Sequence, residues 1–114
     1  MNRYKLSRAG VDVNQGLKRL NNNSEFYEQL LGKFCNDTHY GQLKNALDQG
    51  DVQQAFQHAH AMKGATGNLS LVRLYNALIP VVEDLRNGDL EAAKKHFEEV
   101  SEAYDVLMEV LKQK

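Results

Sequence analysis

A chain of 114 residues, 42% hydrophobic and 25% charged, suits one soluble domain with a single core, and a net charge of −1 speaks against a strongly basic nucleic-acid binder. The longest apolar run, Ala77 to Val82, counts six residues even with Pro80 included, far short of the ~18 that a membrane span requires. One cysteine, Cys35, excludes an intrachain disulfide; with no signal-peptide pattern at Met1, the expectation is a cytoplasmic protein.

Strand signals are nearly absent, and the elements read as helices from the start. A short amphipathic helix is predicted over residues 12–20, with Val13, Leu17 and Leu20 inward, and Asn21-Asn22-Asn23 separates it from the bundle. Residues 24–48 form the next helical segment, carrying Tyr27, Leu30/Leu31, Phe34, Leu43 and Leu47, with Gly41 as the place where it bends. Gln49-Gly50-Asp51 then closes one helix with a left-handed glycine and caps the next with an aspartate, Gln54 standing at the third helical position as in a capping box. The helix over 51–67 has an inward stripe of Val52, Ala55/Phe56, Ala59 and Met62. Asn68-Leu69-Ser70 is the next break, with Ser70 as the expected N-cap of a helix over 71–87 built on Leu71, Leu74, Leu78, Val81 and Leu85. Pro80 removes the bond to the carbonyl of Asn76 and predicts a bend there. Asn87-Gly88-Asp89 repeats the glycine–aspartate punctuation before the helix over 89–112, whose stripe runs Leu90, Ala93, Phe97, Val100, Tyr104, Leu107, Leu111. The predicted fold is all-α: one domain over 1–114, an antiparallel up-down-up-down four-helix bundle with a short N-terminal capping helix.

Charge is uneven along this frame. The first 20 residues hold five Lys/Arg and one acid, and residues 83–109 hold nine acids and three bases. Both read as solvated surface.

The chemistry-bearing residues concentrate in the helix over 51–67. His58 and His60, two positions apart, point about 200° from each other and cannot share a metal as an i, i+4 pair would. No Cys/His/Glu cluster supplies further ligands, so no metal is expected, and His39 and His96 read as isolated surface residues. His60 differs from the others. It lies off the apolar stripe with Gln53 and Gln57 beneath it and Lys63 one turn on. On the 3.6-residue period Gly64 falls about 40° and Gly67 about 20° from it. A helix interior loses roughly 1 kcal/mol at each glycine relative to alanine. Two such positions beside one imidazole predict a surface cleared for the approach of something large.

The run Ala59-His60-Ala61-Met62-Lys63-Gly64-Ala65-Thr66-Gly67-Asn68-Leu69 resembles the signature of histidine-containing phosphotransfer (HPt) domains, A-H-x-[apolar]-K-G-x-[small], and the resemblance extends from Gly10 onward. The sequence departs from it at Ser70, where many members carry glycine. The acidic or glutamine position that follows the next apolar stripe in the family has only Glu83 nearby. The resemblance implies a four-helix bundle with an N-terminal extension and a phosphocarrier without catalysis of its own. His60 would be the phosphoacceptor in a two-component phosphorelay, and Lys63 would offset the phosphoryl charge. Receiver domains would dock over Gln57, Ala61, Gly64, Gly67 and Asn68. The implied partners are response-regulator receiver domains and a sensor histidine kinase, with no nucleic acid and no membrane insertion. No cofactor is held by this chain, Mg²⁺ belongs to the receiver, and the chain is expected to be a monomer. The chemistry suits an imidazole, whose ordinary pKa near 6.5 leaves a neutral ring nitrogen free as nucleophile.

Three other readings share the bundle. A helical interaction module without phosphotransfer would keep the docking surface and differ only in taking no phosphate. The dimerisation domain of a histidine kinase follows its histidine with an acidic residue and soon a proline, whereas Ala61 and Met62 stand here. A metalloenzyme bundle needs inward carboxylates and Glu-x-x-His sets, which are missing.

Overall fold

The hydrophobic stripes form helices whose ends are fixed by side chains at the breaks. The computed structural model describes residues 1–112, and among these there are seven helices and no strand: α1 (Arg3–Arg8), α2 (Val13–Arg19), α3 (Ser24–Cys35), α4 (His39–Gln49), α5 (Val52–Asn68), α6 (Val72–Arg86) and α7 (Leu90–Leu111). Gly50 and Gly88 adopt φ of 73° and 72°, the left-handed conformation predicted for them. The aspartates after them accept backbone N–H bonds in the next helix, Asp51 from Gln54 and Asp89 from Ala92, both at 3.1 Å. Asp12 caps α2 in the same way through the N–H of Gln15 at 3.0 Å.

The packing runs in sequence, α4 on α5, α5 on α6 and α6 on α7, while α7 also meets α1, α3 and α4. The core matches the predicted stripes closely. Ala55, Ala59 and Met62 of α5 are buried, as are Leu74, Leu78, Val81 and Leu85 of α6 and Ala93, Val100 and Leu107 of α7. Leu71, just ahead of α6, is buried with them. Tyr40 joins α4 to α7, its ring parallel to Tyr104 at 3.7 Å and its hydroxyl donating to Ser101 Oγ at 2.9 Å.

Three expectations are corrected. The segment 24–48 is two helices broken at Asn36–Thr38, and Gly41 lies inside the second, α4. The break is held by local polar bonds: Asn36 Nδ2 donates to the carbonyl of Gly32 at 3.3 Å, and Asp37 Oδ1 accepts the N–H of His39 at 2.7 Å. The molecule is therefore not a strict set of four bundle helices plus one cap. An additional helix, α1, precedes α2; Asn2 caps it by accepting the N–H of Lys5, and it buries Leu6. Ser70 is not the N-cap of α6, since Leu71 holds that position without a side-chain bond. Pro80 lies inside α6, which runs on to Arg86 as one element, in keeping with the predicted helix over 71–87.

Candidate functional site

Helix α5 buries one face and offers the other. Ala55, Ala59, Met62 and Thr66 fix its inward side, and Thr66 satisfies its buried hydroxyl by donating to the carbonyl of Lys63 at 3.0 Å. That orientation leaves His60 exposed on the outward side. Its ring stacks on Phe56, one turn earlier, at 5.7 Å between centroids and 28° between planes, and the guanidinium of Arg86 lies 5.6 Å from the centre of the same Phe56 ring. Among the described residues nothing hydrogen-bonds to the His60 imidazole. The residue is exposed while one side of its ring stacks on an aromatic platform.

His60, Lys63, Gly64, Gly67 and Asn68 line one open cleft of about 710 Å³, and Asp12, Gln15 and Arg19 from the α2 side and Tyr75 and Asn76 of α6 complete it. Gln57 and Ala61 lie outside this cleft, Gln57 exposed and Ala61 half-buried on the same helix. The two glycines separate in character. A Cβ on Gly64 would meet nothing within 4 Å, so that position is open. A Cβ on Gly67 would sit 3.2 Å from Cε2 and 3.4 Å from Cδ2 of Tyr75. The expectation of bare surface at both therefore fails at Gly67, which is the seat of an aromatic ring. Lys63 has its ammonium 6.0 Å from the centroid of that ring.

The C-terminal end of α5 is tied down from several directions. Ser70 takes a left-handed φ of 57°. The N–H of Ser70 bonds to the carbonyl of Gly67 at 3.2 Å and that of Leu71 to the carbonyl of Thr66 at 2.9 Å, the paired bonds of a Schellman termination. The position at which the family often has glycine is thus one where glycine is conformationally easiest; here a serine occupies it and donates its hydroxyl to Gln15 Oε1 at 2.9 Å. Arg19 Nη1 donates to the carbonyl of Gly67 at 2.8 Å, and the N–H of Asp12 to the carbonyl of Ser70 at 2.9 Å. The buried Tyr27 hydroxyl donates to the carbonyl of Leu69 at 2.6 Å; burial, helped by the charge of Asp12, pushes the phenol up to about 12. The histidine helix is a rigid post at this end.

The other three histidines are engaged, which corrects the reading of His39 and His96 as isolated. His39 and His58 bring their Nδ1 atoms to 3.0 Å across the α4–α5 seam, and His96 Nδ1 lies 2.6 Å from Asp84 Oδ2 between α7 and α6. No group of three or more His, Cys, Asp or Glu side chains among the described residues is arranged to hold a metal ion.

The family model for the Hpt domain matches residues 29–110, most of the chain, and the chain belongs to that family. Hpt domains are phosphocarrier modules of histidine phosphotransfer in two-component systems, working with receiver domains and histidine kinases. No curated protein and no solved structure matches the chain. No helix among the described residues is long and apolar enough to cross a membrane.

Sequence reasoning missed three side chains around His60. Phe56 is visible in the sequence only as part of the inward stripe, although its place four residues before His60 puts it on a neighbouring row of the helix. Tyr75 and Arg19 carry no local signal, because what brings them to α5 is the packing of α6 and α2.

Proposed function

We propose that His60 accepts a phosphoryl group from the aspartyl phosphate of one receiver domain and passes it to the aspartate of another, in a two-component phosphorelay. In the accepting step a ring nitrogen of His60 forms the N–P bond as the P–O bond to the aspartate breaks, and the carboxylate leaves with the electron pair. Donation reverses the roles. The observation that carries this reading is the contrast among the histidines: His60 alone among them has an imidazole without a polar partner among the described residues, and it lies beside the open Gly64. Lys63, a compact charge one turn on, offsets the phosphoryl oxygens. The effect is on the order of 1–2 kcal/mol at most, given its half-exposed position.

In this reading α4 to α7 supply the up-down-up-down bundle, and α1 to α3 are its N-terminal extension. The receiver brings the Mg²⁺ and the acidic pocket. It docks over Gly64 and Asn68, with Gln57 and Ala61 at the rim, and the chain works as a cytoplasmic monomer. The test is incubation of this chain with phosphorylated receiver domains. Label should appear on the parent as an acid-labile, base-stable phosphoramidate and be lost in His60→Gln. A His60→Gln chain that still takes label would remove His60 from the reaction, and a parent that binds receivers without taking label would make the chain an interaction module.

A further inference from the structure

An exposed lysine is a poor electrostatic instrument by default, because four methylenes let its charge wander through a wide volume. Lys63 is not in that situation. It is half-buried, with its ammonium 6.0 Å from the centroid of Tyr75, within the range at which a cation is drawn to an aromatic face. No acid among the described residues pairs with it. The tyrosine is in turn seated against α5, because Gly67 lacks the Cβ that would stand 3.2 Å from the ring. The Gly67 carbonyl is held by Arg19 at 2.8 Å. The contacts thus form a chain: Arg19 fixes the end of α5, Gly67 admits the ring, the ring restrains the ammonium, and the ammonium shares a cleft with His60.

The geometry points to Tyr75 as a positioning residue for phosphoryl transfer: its ring, seated on Gly67, keeps the Lys63 charge in the cleft that the His60 phosphoryl group enters. This rests on the reading of His60 as phosphoacceptor. It also gives the second glycine of the motif a purpose apart from partner access, since Gly67 makes room for a side chain of this chain. The ring face does the work and the phenol oxygen does not, so phenylalanine replaces tyrosine at this position without loss.

The test measures transfer from a phosphorylated receiver to the parent, Tyr75→Phe, Tyr75→Leu, Lys63→Ala and the Tyr75→Leu/Lys63→Ala double variant. Tyr75→Phe should keep the parent rate within about twofold. Tyr75→Leu should slow transfer by roughly three- to tenfold, about as much as Lys63→Ala, the span a modest charge term covers. The double variant should be no slower than Lys63→Ala alone. Gly67→Ala, which displaces the ring without deleting it, gives a second route to the same slowing should Tyr75→Leu fold poorly. A readout independent of transfer is the NMR shift of the Lys63 ε-methylene protons, moved upfield by the ring in the parent and Tyr75→Phe and released in Tyr75→Leu. Tyr75→Leu at the parent rate, or a double variant whose losses multiply, overturns the proposal. So does a methylene shift indifferent to Tyr75→Leu, whatever the fate of phosphotransfer. A parent that takes no phosphate, with the ring shift intact, overturns the phosphoacceptor reading itself and with it any role for Tyr75 in transfer.

Discussion

The hydroxyl of Tyr27 reaches across from α3 to donate to the carbonyl of Leu69, 2.6 Å away, at the end of the histidine helix. The ring fits only because Gly16 has no side chain: a Cβ there would lie 2.6 Å from the phenol carbon and oxygen. One buried phenol thereby joins three helices at the point where α5 must stop. Tyr27→Phe removes the donor and leaves a largely buried carbonyl unpaired, so it should cost about 1–2 kcal/mol. Because burial raises the folded-state phenol from 10 to about 12, the stability it carries is fully present below pH 10 and is lost as pH rises through about 12. Urea unfolding of parent and Tyr27→Phe at pH 8 and pH 11.5 checks both statements. The parent should lead at the lower pH, and its lead should shrink at the higher; a constant lead would mean that Tyr27 does not ionise on unfolding.

Ser70 opposes two effects of similar size. Its left-handed backbone disfavours any residue with a Cβ by roughly 1 kcal/mol, while its buried hydroxyl bond to Gln15 returns roughly 1 kcal/mol. Ser70→Gly trades the bond for an unstrained backbone and should leave stability within about 0.5 kcal/mol. Ser70→Ala keeps the strain and loses the bond, and should be less stable by about 1 kcal/mol. Thermal melting of the three chains decides it: an alanine variant equal to the parent would show that the Gln15 bond contributes nothing.

His39 and His58 share a hydrogen bond at 3.0 Å across a half-buried seam, one ring donating and the other accepting. A double-mutant cycle with His39→Ala and His58→Ala should give a coupling of about 0.5–1.5 kcal/mol favouring the pair. Neither change should alter phosphoryl uptake at His60, which faces a different side of α5. Additive losses in stability would mean that the two rings do not interact in solution.

What the sequence made legible was whatever local chemistry decides. The Gly50-Asp51 and Gly88-Asp89 punctuation, the buried stripes of α5, α6 and α7, and the exposed face bearing His60 all come from spacing and turn chemistry within a few residues. The break at Asn36–Thr38 is easily read through because no glycine or proline marks it, although the polar run Asn36-Asp37-Thr38-His39 interrupts the apolar spacing between Phe34 and Leu43. Helix α1 is hidden because six residues with one inward leucine, Leu6, show no periodicity. The pairing of His39 with His58 joins positions on different helices that no local pattern connects. Gly67 misleads for the same reason: its bare surface is filled by Tyr75, which α6 supplies from another part of the chain.

Gly64 is the glycine whose emptiness faces solvent, and it allows stability and function to be driven in opposite directions. Helix α5 runs through it without a left-handed backbone, and an added Cβ would meet nothing within 4 Å. Glycine is therefore the wrong residue for folding at this position. Gly64→Gln should stabilise the domain by a few tenths to about 1 kcal/mol, through helix propensity and a less flexible unfolded chain. The same side chain would project into the cleft beside His60, where a receiver's backbone and aspartate must come close. Uptake from a phosphorylated receiver should fall at least tenfold, while a small donor such as phosphoramidate, if it labels the parent, should label the variant at a similar rate. Melting temperature and the two labelling rates, measured on the same preparation, separate the possibilities. A variant that melts lower than the parent would show that the open space at Gly64 is not open in solution. One that takes phosphate from receivers at the parent rate would place the docking surface elsewhere on the molecule.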